Sequence, residues 1–500
     1  MSLLGIDVGT SGCKAVVFSV DGTQLATAYE EYDYLSPQAD WAELDSQRVW
    51  EQIKDTIRKV ADCAPHDPVQ ALSISSLGEA VVPVSADRQI LGPSILNFDA
   101  RGAEYLPEIN AHLSAEALYR INGNTPGNHY SLTKLIWLKK HQPDLYNQAD
   151  CFLHWGSFIA FMLGADPAID YTLANRTLLF DIDRKDWSDE LLSLASIERS
   201  KLPPTVPSGA VIGTVARSIA QELGLPAGIP IVSGGHDQCC NSVGCGVIEP
   251  GQAMYGMGTY ICMVPVFDRR PEPAAMIARG LCTEHHAVPG QFVSFIYNQG
   301  GALVKWYRDT FAAIERQQGA ASGADVYAAL IAEMPVEPSQ VLALPHFTTT
   351  GPPEFTSDSC GVIAGLHLGT KRGEVLKGLI ESMTFYLREC FESLPSGLAV
   401  SDFRAAGGGS KSDAWLQISA DILGRPFLRP KVNEAGALGA AIIAGTGSGI
   451  FPSISAGVER MVKPGQTFFP DPRMAQRYDE RFEKYRRLWP LMKDYLRELA

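Results

Sequence analysis

A carboxylate that ends an apolar strand, followed at once by a glycine-rich bend, is the first place in this chain where chemistry could sit. Residues 3–18 read LLGIDVGTSGCKAVVF, an apolar strand, a bend from Asp7 to Gly12, and a second strand. Gly9 and Gly12 permit backbone turns that side-chained residues resist, so the amides and hydroxyls of Thr10 and Ser11 can come close to a ligand. Phosphate oxygens suit such donors. Asp7 has the wrong charge for phosphate but the right one for a Mg²⁺ ion travelling with it, since that ion takes carboxylate, water and phosphate oxygen. Lys14, just past the bend, can supply the counter-charge. An ordinary β-hairpin with a polar turn fits the same letters.

Residues 252–266, QAMYGMGTYICMVPV, repeat the pattern, so that Gly258-Thr259 stands in the second half where Gly9-Thr10 stands in the first. One duplicated unit is the simplest source, with two unrelated hairpins as the alternative. Paired hairpins could grip a polyphosphate from both sides. At 234–238, GGHDQ follows an apolar strand, and the glycines thin the backbone there. Asp237 is then placed to accept a proton from a substrate hydroxyl, or else to cap the next helix. Gly407-Gly408-Gly409-Ser410 ends another strand, and a flat ring such as adenine could lie against that turn; a serine-capped helix start is the other reading. The chain has no G-x-x-x-x-G-K-[ST] loop, which argues against a P-loop enzyme. Glu284-His285-His286 reads as a surface turn, because adjacent histidines point apart and no third metal ligand is evident. The stretch 434–444, EAGALGAAIIA, reads as a small-residue packing helix.

Other strands and helices must hold these groups in place. Strand-like runs fall at 24–34, 69–76, 79–84, 95–97, 229–233, 292–297 and 403–406. Helical spacing falls at 45–60, with Val49, Ile53, Ile57 and Val60 on one face, and at 132–141, 152–163, 302–311, 371–394 and 412–423. A last helix from 474 places Tyr478, Phe482, Tyr485 and Trp489 together. The alternation predicts an α/β chain with a largely parallel or mixed sheet and helices on its faces. The polar stretch 166–207 reads as an inserted surface subdomain. Five hundred residues exceed what one core usually serves, so two domains with a cleft are expected. A net charge of −14 argues against nucleic acid or an anionic membrane as partner. Ten cysteines without a C-x-x-C pair, no basic leader and no long apolar run together predict a soluble, cytoplasmic protein.

Taken in order, GIDVGTSGCKAVVF, DWAELD, ILNFDARG, TKLIWLK, GGHDQ, GMGT, GGALVKW, GGGSKSDAWLQISADILGRP and EAGALGAA make the chain resemble the FGGY family of carbohydrate kinases nearly end to end. That family includes glycerol kinase and xylulose kinase. The resemblance implies two actin-like (ribonuclease H-like) α/β domains with ATP and sugar in the interdomain cleft, residues 1–247 for the sugar and 248–500 for the nucleotide. It implies Asp7 as the Mg²⁺-associated carboxylate and Asp237 as catalytic base, with Gln238 beside it on the substrate side. Thr10, Ser11, Lys14, Gly258 and Thr259 then match phosphate contacts, Gly301 and Lys305 nucleotide-side positions, and Gly408 and Ser412 the adenosine site. Glu79, Asp99 and His129 fall where the family contacts its sugar.

The departures fall on that side too. Ser76-Leu77-Gly78-Glu79 lacks the Met-His pair of xylulose kinases and the Arg-Glu pair of glycerol kinases. Asn97 replaces the usual Trp, and TTTGPPEF at 348–355 replaces the G-x-R-x-P loop. The implied activity is ATP-dependent phosphorylation of a small ketose, such as a pentulose, or of a polyol. Two acids with no nearby Arg disfavour a sugar acid, whose carboxylate they would repel. A sugar-acid kinase and a non-catalytic nucleotide-gated sensor are the alternatives, and a sensor has no need of a base at Asp237. Expected partners are ATP and the sugar, without nucleic acid or membrane; a homodimer is compatible with this reading.

Overall fold

The computed structural model describes residues 1–63, 67–431 and 434–499. The first sheet contains β1 (Ser2–Val8), β2 (Gly12–Ser19), β3 (Gln24–Glu31), β4 (Val69–Ser76), β5 (Val211–Thr214) and β6 (Pro230–His236). Their spatial order is β5-β6-β4-β1-β2-β3. β1 pairs antiparallel with β2 and parallel with β4, β4 runs parallel to β6, and β5 closes the edge antiparallel. Leu3, Leu4, Ile6 and Val8 are fully buried, so β1 is covered on both faces, as a central parallel strand requires. Helix α1 (Ser46–Cys63) covers β2 and β3 with the expected face, Val49, Ile53, Ile57 and Val60 all buried.

The second sheet contains β7 (Gln252–Met257), β8 (Tyr260–Phe267), β9 (Glu284–His285), β10 (Phe292–Val293), β11 (Ile296–Gln299), β12 (Asp402–Ala406), β13 (Phe427–Arg429) and β14 (Gln466–Phe468). Its order is β9-β10-β8-β7-β12-β13-β14, with β11 also on β8. The path β11-β8-β7-β12-β13-β14 repeats β3-β2-β1-β4-β6-β5 strand for strand, and every pairing has the same sense in both. The duplication read from two hairpins therefore extends through six strands of each sheet.

Helices α2 (Asp237–Gly244) and α5 (Ala435–Gly447) cross where the sheets meet, while α3 (Arg372–Glu392) and α4 (Asp413–Leu423) pack together in the second half. Although it comes late in the chain, α5 lies on β1, β4 and β6 of the first sheet. Its small residues let backbones touch. A Cβ on Gly439 would sit 1.9 Å from the Cys240 carbonyl oxygen, and one on Gly5 1.9 Å from that of Ala437.

Three expectations change. The run 152–163 is a strand, Cys151–His154, paired with Val81–Val84, and then a helix, Trp155–Leu163. A short apolar run has no period that separates the two. The stretch 166–207 is not a surface appendage, because Ile169, Leu173, Leu179 and Phe180 are buried in a core of their own with the helix Ser131–His141. Its polar residues mislead because several are buried and hydrogen-bonded, such as Asp170, which accepts from Thr172 and Leu173. The last helix is two, Pro472–Tyr485 and Leu488–Leu499, and the Trp489 ring meets that of His346 edge-on instead of joining the face of Tyr478. Among the described residues no helix is long and apolar enough to cross a membrane.

Candidate active site

Parallel strands β1, β4 and β6 end side by side, with Asp7 level with Ser75 and Ser75 level with Gly235. Ligands of open α/β sheets collect at such carboxyl ends. Ser75 donates its hydroxyl to Asp7 Oδ1 at 2.6 Å. Gly436 closes on the same carboxylate so tightly that a Cβ there would lie 2.8 Å from Oδ2. Asp237 opens α2 directly after β6 and retains 28% of its side-chain surface. Gln238 Nε2 donates to its Oδ1 at 3.1 Å, and His236 Nε2 stands 3.2 Å from the same oxygen. Burial, then the like charge of Asp7, pushes Asp237 up to about 7. Burial raises Asp7 as well, against the Ser75 hydrogen bond. Burial and the Arg176 charge hold His236 neutral. The negative charge of Asp237 is also felt at Cys262 on β8 of the second sheet.

At the first bend Thr10 is half-buried and Ser11 exposed. Gly9 N donates to Gly12 O at 2.9 Å, and the Tyr32 hydroxyl locks the bend by donating to Gly9 O at 2.7 Å. Lys14 is ion-paired with Glu434, just before α5. A phosphate drawing on Lys14 must compete with that acid, which the packing reading of 434–444 overlooks.

The carboxyl ends of the second sheet gather the other expected groups. Gly258 and Thr259 are exposed at the β7–β8 bend, and Gly301 N donates to Gly258 O at 2.8 Å. A Cβ on Gly301 would lie 2.7 Å from that oxygen. Gly407, at φ 92°, turns the chain so that 407–409 lies against Met257, while a Cβ on Gly408 would meet nothing within 4 Å. Gly258, Thr259, Gly301 and Gly408 thus form one open shelf. Lys305 stands at its side, 65% exposed and 3.3 Å from Asp309. The Ser412 hydroxyl accepts from Trp415 N at 3.2 Å, the capping role weighed for this turn.

On the other side, Glu79 follows β4 and is almost fully buried. Its carboxylate pairs with Arg176 and accepts from Asn97 Nδ2 at 3.3 Å, and the Ser131 hydroxyl holds its carbonyl at 2.6 Å. The ring of His129 lies 3.9 Å from that of Tyr130, whose face is 5.1 Å from the Arg176 guanidinium. Burial lowers His129 to about 4, leaving it neutral. Glu79 and Asn97 therefore collect beside Arg176, while His129 is linked to that cluster through the Tyr130 ring.

Asp99 does not join them. Its side chain is wholly buried and accepts from Ala42 N at 2.6 Å and from Arg101 through Nε and a terminal nitrogen. Burial would raise it, yet those hydrogen bonds prevail and hold it below the usual carboxylate range. With Arg101 over the Trp41 ring at 4.0 Å, the DWAELD and DARG stretches form a structural knot, and Asp99 is a corrected expectation: its oxygens are spent.

Two further corrections concern 284–286 and the missing arginine. Glu284 and His285 are buried in β9, not on a surface turn, and Glu284 Oε1 accepts from Arg176 at 2.7 Å. Arg176 stands beside Glu79, so the acceptor side holds a nearby Arg where none was expected. It is outnumbered by Glu79 and Glu284, so the cluster stays net acidic. Arg176 sits in a polar stretch whose partners are about 100 residues away on either side (|i−j| 97 and 108), a separation that local spacing does not encode.

Comparison with known proteins bears on this arrangement. The model of the FGGY family of carbohydrate kinases, N-terminal domain, matches residues 2–244, and that of its C-terminal domain matches 258–448. The chain is 29% identical over 520 residues to autoinducer-2 kinase from Escherichia coli, covering 97% of this chain and 94% of that one. It is 26% identical over 503 residues to xylulose kinase from Bacillus subtilis, covering 98% and 97%. The solved structure of xylulose kinase from Rhodospirillum rubrum superposes with a TM-score of 0.86 at 24% identity, covering 99% of this chain and 100% of that one, and so has the same two-part actin-like fold. With both domain models matched over most of its length, the chain belongs to the FGGY family of carbohydrate kinases and is a phosphotransferase.

Proposed function

We propose that the protein transfers the γ-phosphoryl group of ATP to a hydroxyl of a small neutral ketose or polyol, with Asp237 as general base. The observation that carries this is the pair Asp7 and Asp237 at the carboxyl ends of β1 and β6, on either side of β4, with Asp237 raised to about 7 so that it can hold a proton at neutral pH. The division follows the two sheets: residues 1–247 hold the sugar and 248–500 the nucleotide, with α5 returning to the first sheet.

In this reading the acceptor hydroxyl gives its proton to Asp237, its oxygen bonds to the γ-phosphorus, and the bond to the ADP oxygen breaks. Amides and hydroxyls at Thr10, Ser11, Gly258 and Thr259 meet the phosphate oxygens, with Lys14 adding charge once it leaves Glu434. Gly301 and Lys305 line the nucleotide side, and Gly408 leaves room for the adenine ring, with Ser412 capping the helix behind it. Glu79, His129 and Gln238 face the sugar. Among the described residues no three His, Cys, Asp or Glu form a ready metal cage. That suits Mg²⁺, which is held by one or two carboxylates together with phosphate and water, and Asp7 in its acidic surroundings is the fitting ligand. When bound, the ion neutralises charge on the phosphate oxygens.

Coupled ADP release across ketopentoses, deoxy-ketohexoses, glycerol, erythritol and gluconate tests the proposal. A ketose or polyol should lead, and Asp237→Asn should lower turnover by roughly 10²–10⁴-fold with both ligands still bound. Near-wild-type turnover would remove Asp237 from the mechanism, and gluconate in the lead would overturn the charge argument.

A further inference from the structure

Residues 281–285, from the second half of the chain, reach across to the acceptor side of the first. Thr283 N donates to Gly123 O at 2.7 Å, and His285 N donates to Asn175 Oδ1 at 3.0 Å. Between them stands Glu284, with 1% of its side chain exposed, in an ion pair with Arg176. The other terminal nitrogen of Arg176 pairs with Glu79. Tyr130, from the first half, and Phe295, from the second, flank the guanidinium at 5.1 and 5.6 Å. Arg176 Nε has no hydrogen-bond partner among the described residues and lies 3.4 Å from where a Cβ on Gly78 would be. This charge bridge is stretched between the halves, and its Nε is buried and unpaired on the side of the acceptor loop, residues 76–79.

We propose that Glu284 sets acceptor selectivity through Arg176, by holding the guanidinium so that the Glu79 carboxylate keeps oxygen positions free for sugar hydroxyls. The inference rests on the kinase reading above. An ionised carboxylate offers about four acceptor positions, of which Arg176 and Asn97 take two here. The guanidinium stays charged at any working pH, and its fork fits a carboxylate through two parallel bonds. Glu284 pulls one arm of the fork away. Released from Glu284, Arg176 would close on Glu79 with both arms and consume the oxygens that read the substrate. Glu284 is therefore a positioning residue, supplied by the half that does not carry the acceptor loop.

Steady-state ADP release by wild type, Glu284→Gln and Glu284→Asp over a ketopentose, erythritol and glycerol tests this. In Glu284→Gln the acceptor KM should rise about ten-fold or more while kcat changes less, the signature of lost binding that is shared by ground and transition states. The preference among acceptors should flatten, nucleotide affinity by calorimetry should hold, and Glu284→Asp should recover part of the loss. A lower melting temperature with unchanged acceptor KM and ranking would make the pair structural and overturn the proposal. Should Glu284→Gln not fold, Glu284→Asp alone serves, since its shorter side chain holds the guanidinium less well; it must raise acceptor KM by a smaller factor, and an unchanged KM overturns the proposal. Wild type that turns over no acceptor would instead sink the kinase reading, and this inference with it.

Discussion

Asp237 has a weak base's job, and its surroundings make it a stronger one. An exposed aspartate would be ionised well below neutral pH but would hold a proton poorly; burial and the charge of Asp7 bring it to about 7. Among the ionisable groups near it, Asp7 raises it, Arg176 lowers it, and His236 and the thiols of Cys239, Cys240 and Cys262 are kept uncharged by burial. A protonated carboxyl cannot accept the hydroxyl proton, so activity is present above this pKa and lost as pH falls through it. The acceptor kcat/KM of the free enzyme should therefore show an acid limb near pH 7. Asp7→Asn removes the like charge, so in that variant the limb should move to lower pH while maximal turnover falls through loss of the metal-side carboxylate. Measured pH profiles of the two proteins decide it, and a limb that stays in place would detach Asp237 from Asp7.

Glycines with different neighbours should fail in different ways. On α5, a side chain at Gly439 meets the Cys240 backbone at 1.9 Å, and backbone cannot step aside as a flexible side chain can. Gly439→Ala should cost about 3 kcal/mol or more, the upper range for overpacking, and show as a lower melting temperature without ligand. Gly408 faces open space, so Gly408→Ala should melt as wild type but bind ATP more weakly if adenine lies there. Equal melting losses in both variants would refute this distinction. The same contrast explains what could be read from the sequence. Paired glycine-threonine bends, GGHDQ after a strand and the amphipathic face of α1 are local patterns, and local rules found them at their places. Arg176, Glu284 and Glu434 act through partners far along the chain, and each stands in a stretch that reads as polar turn or packing helix. Asp99 shows the converse, a motif residue at a legible position whose oxygens are consumed by Arg101 and a backbone amide from the far side of the knot.

At the scale of the whole molecule, two sets of contacts between the halves bear on how they move. One is the crossing of α2 and α5, packed backbone to backbone; the other is the bridge on the acceptor side through Thr283, Glu284 and His285. Arg270 adds to the second, donating to Asp183 at 2.6 Å. Ser11 and Thr259, at the tips of the duplicated bends, are exposed. A closure that brings the two bends together would let both meet one phosphate chain. A kinase gains from such closure, because an acceptor must replace water at the γ-phosphorus if ATP is not to be hydrolysed. Binding of sugar and nucleotide together should therefore reduce the radius of gyration in small-angle scattering relative to the free protein, and either ligand alone should do less. Arg270→Ala, which loosens one junction without touching Asp7 or Asp237, should raise ADP release in the absence of acceptor relative to its presence. An unaltered scattering envelope at saturation, with acceptor-free ADP release unchanged in the variant, would mean a rigid cleft whose two bends already stand at their working separation.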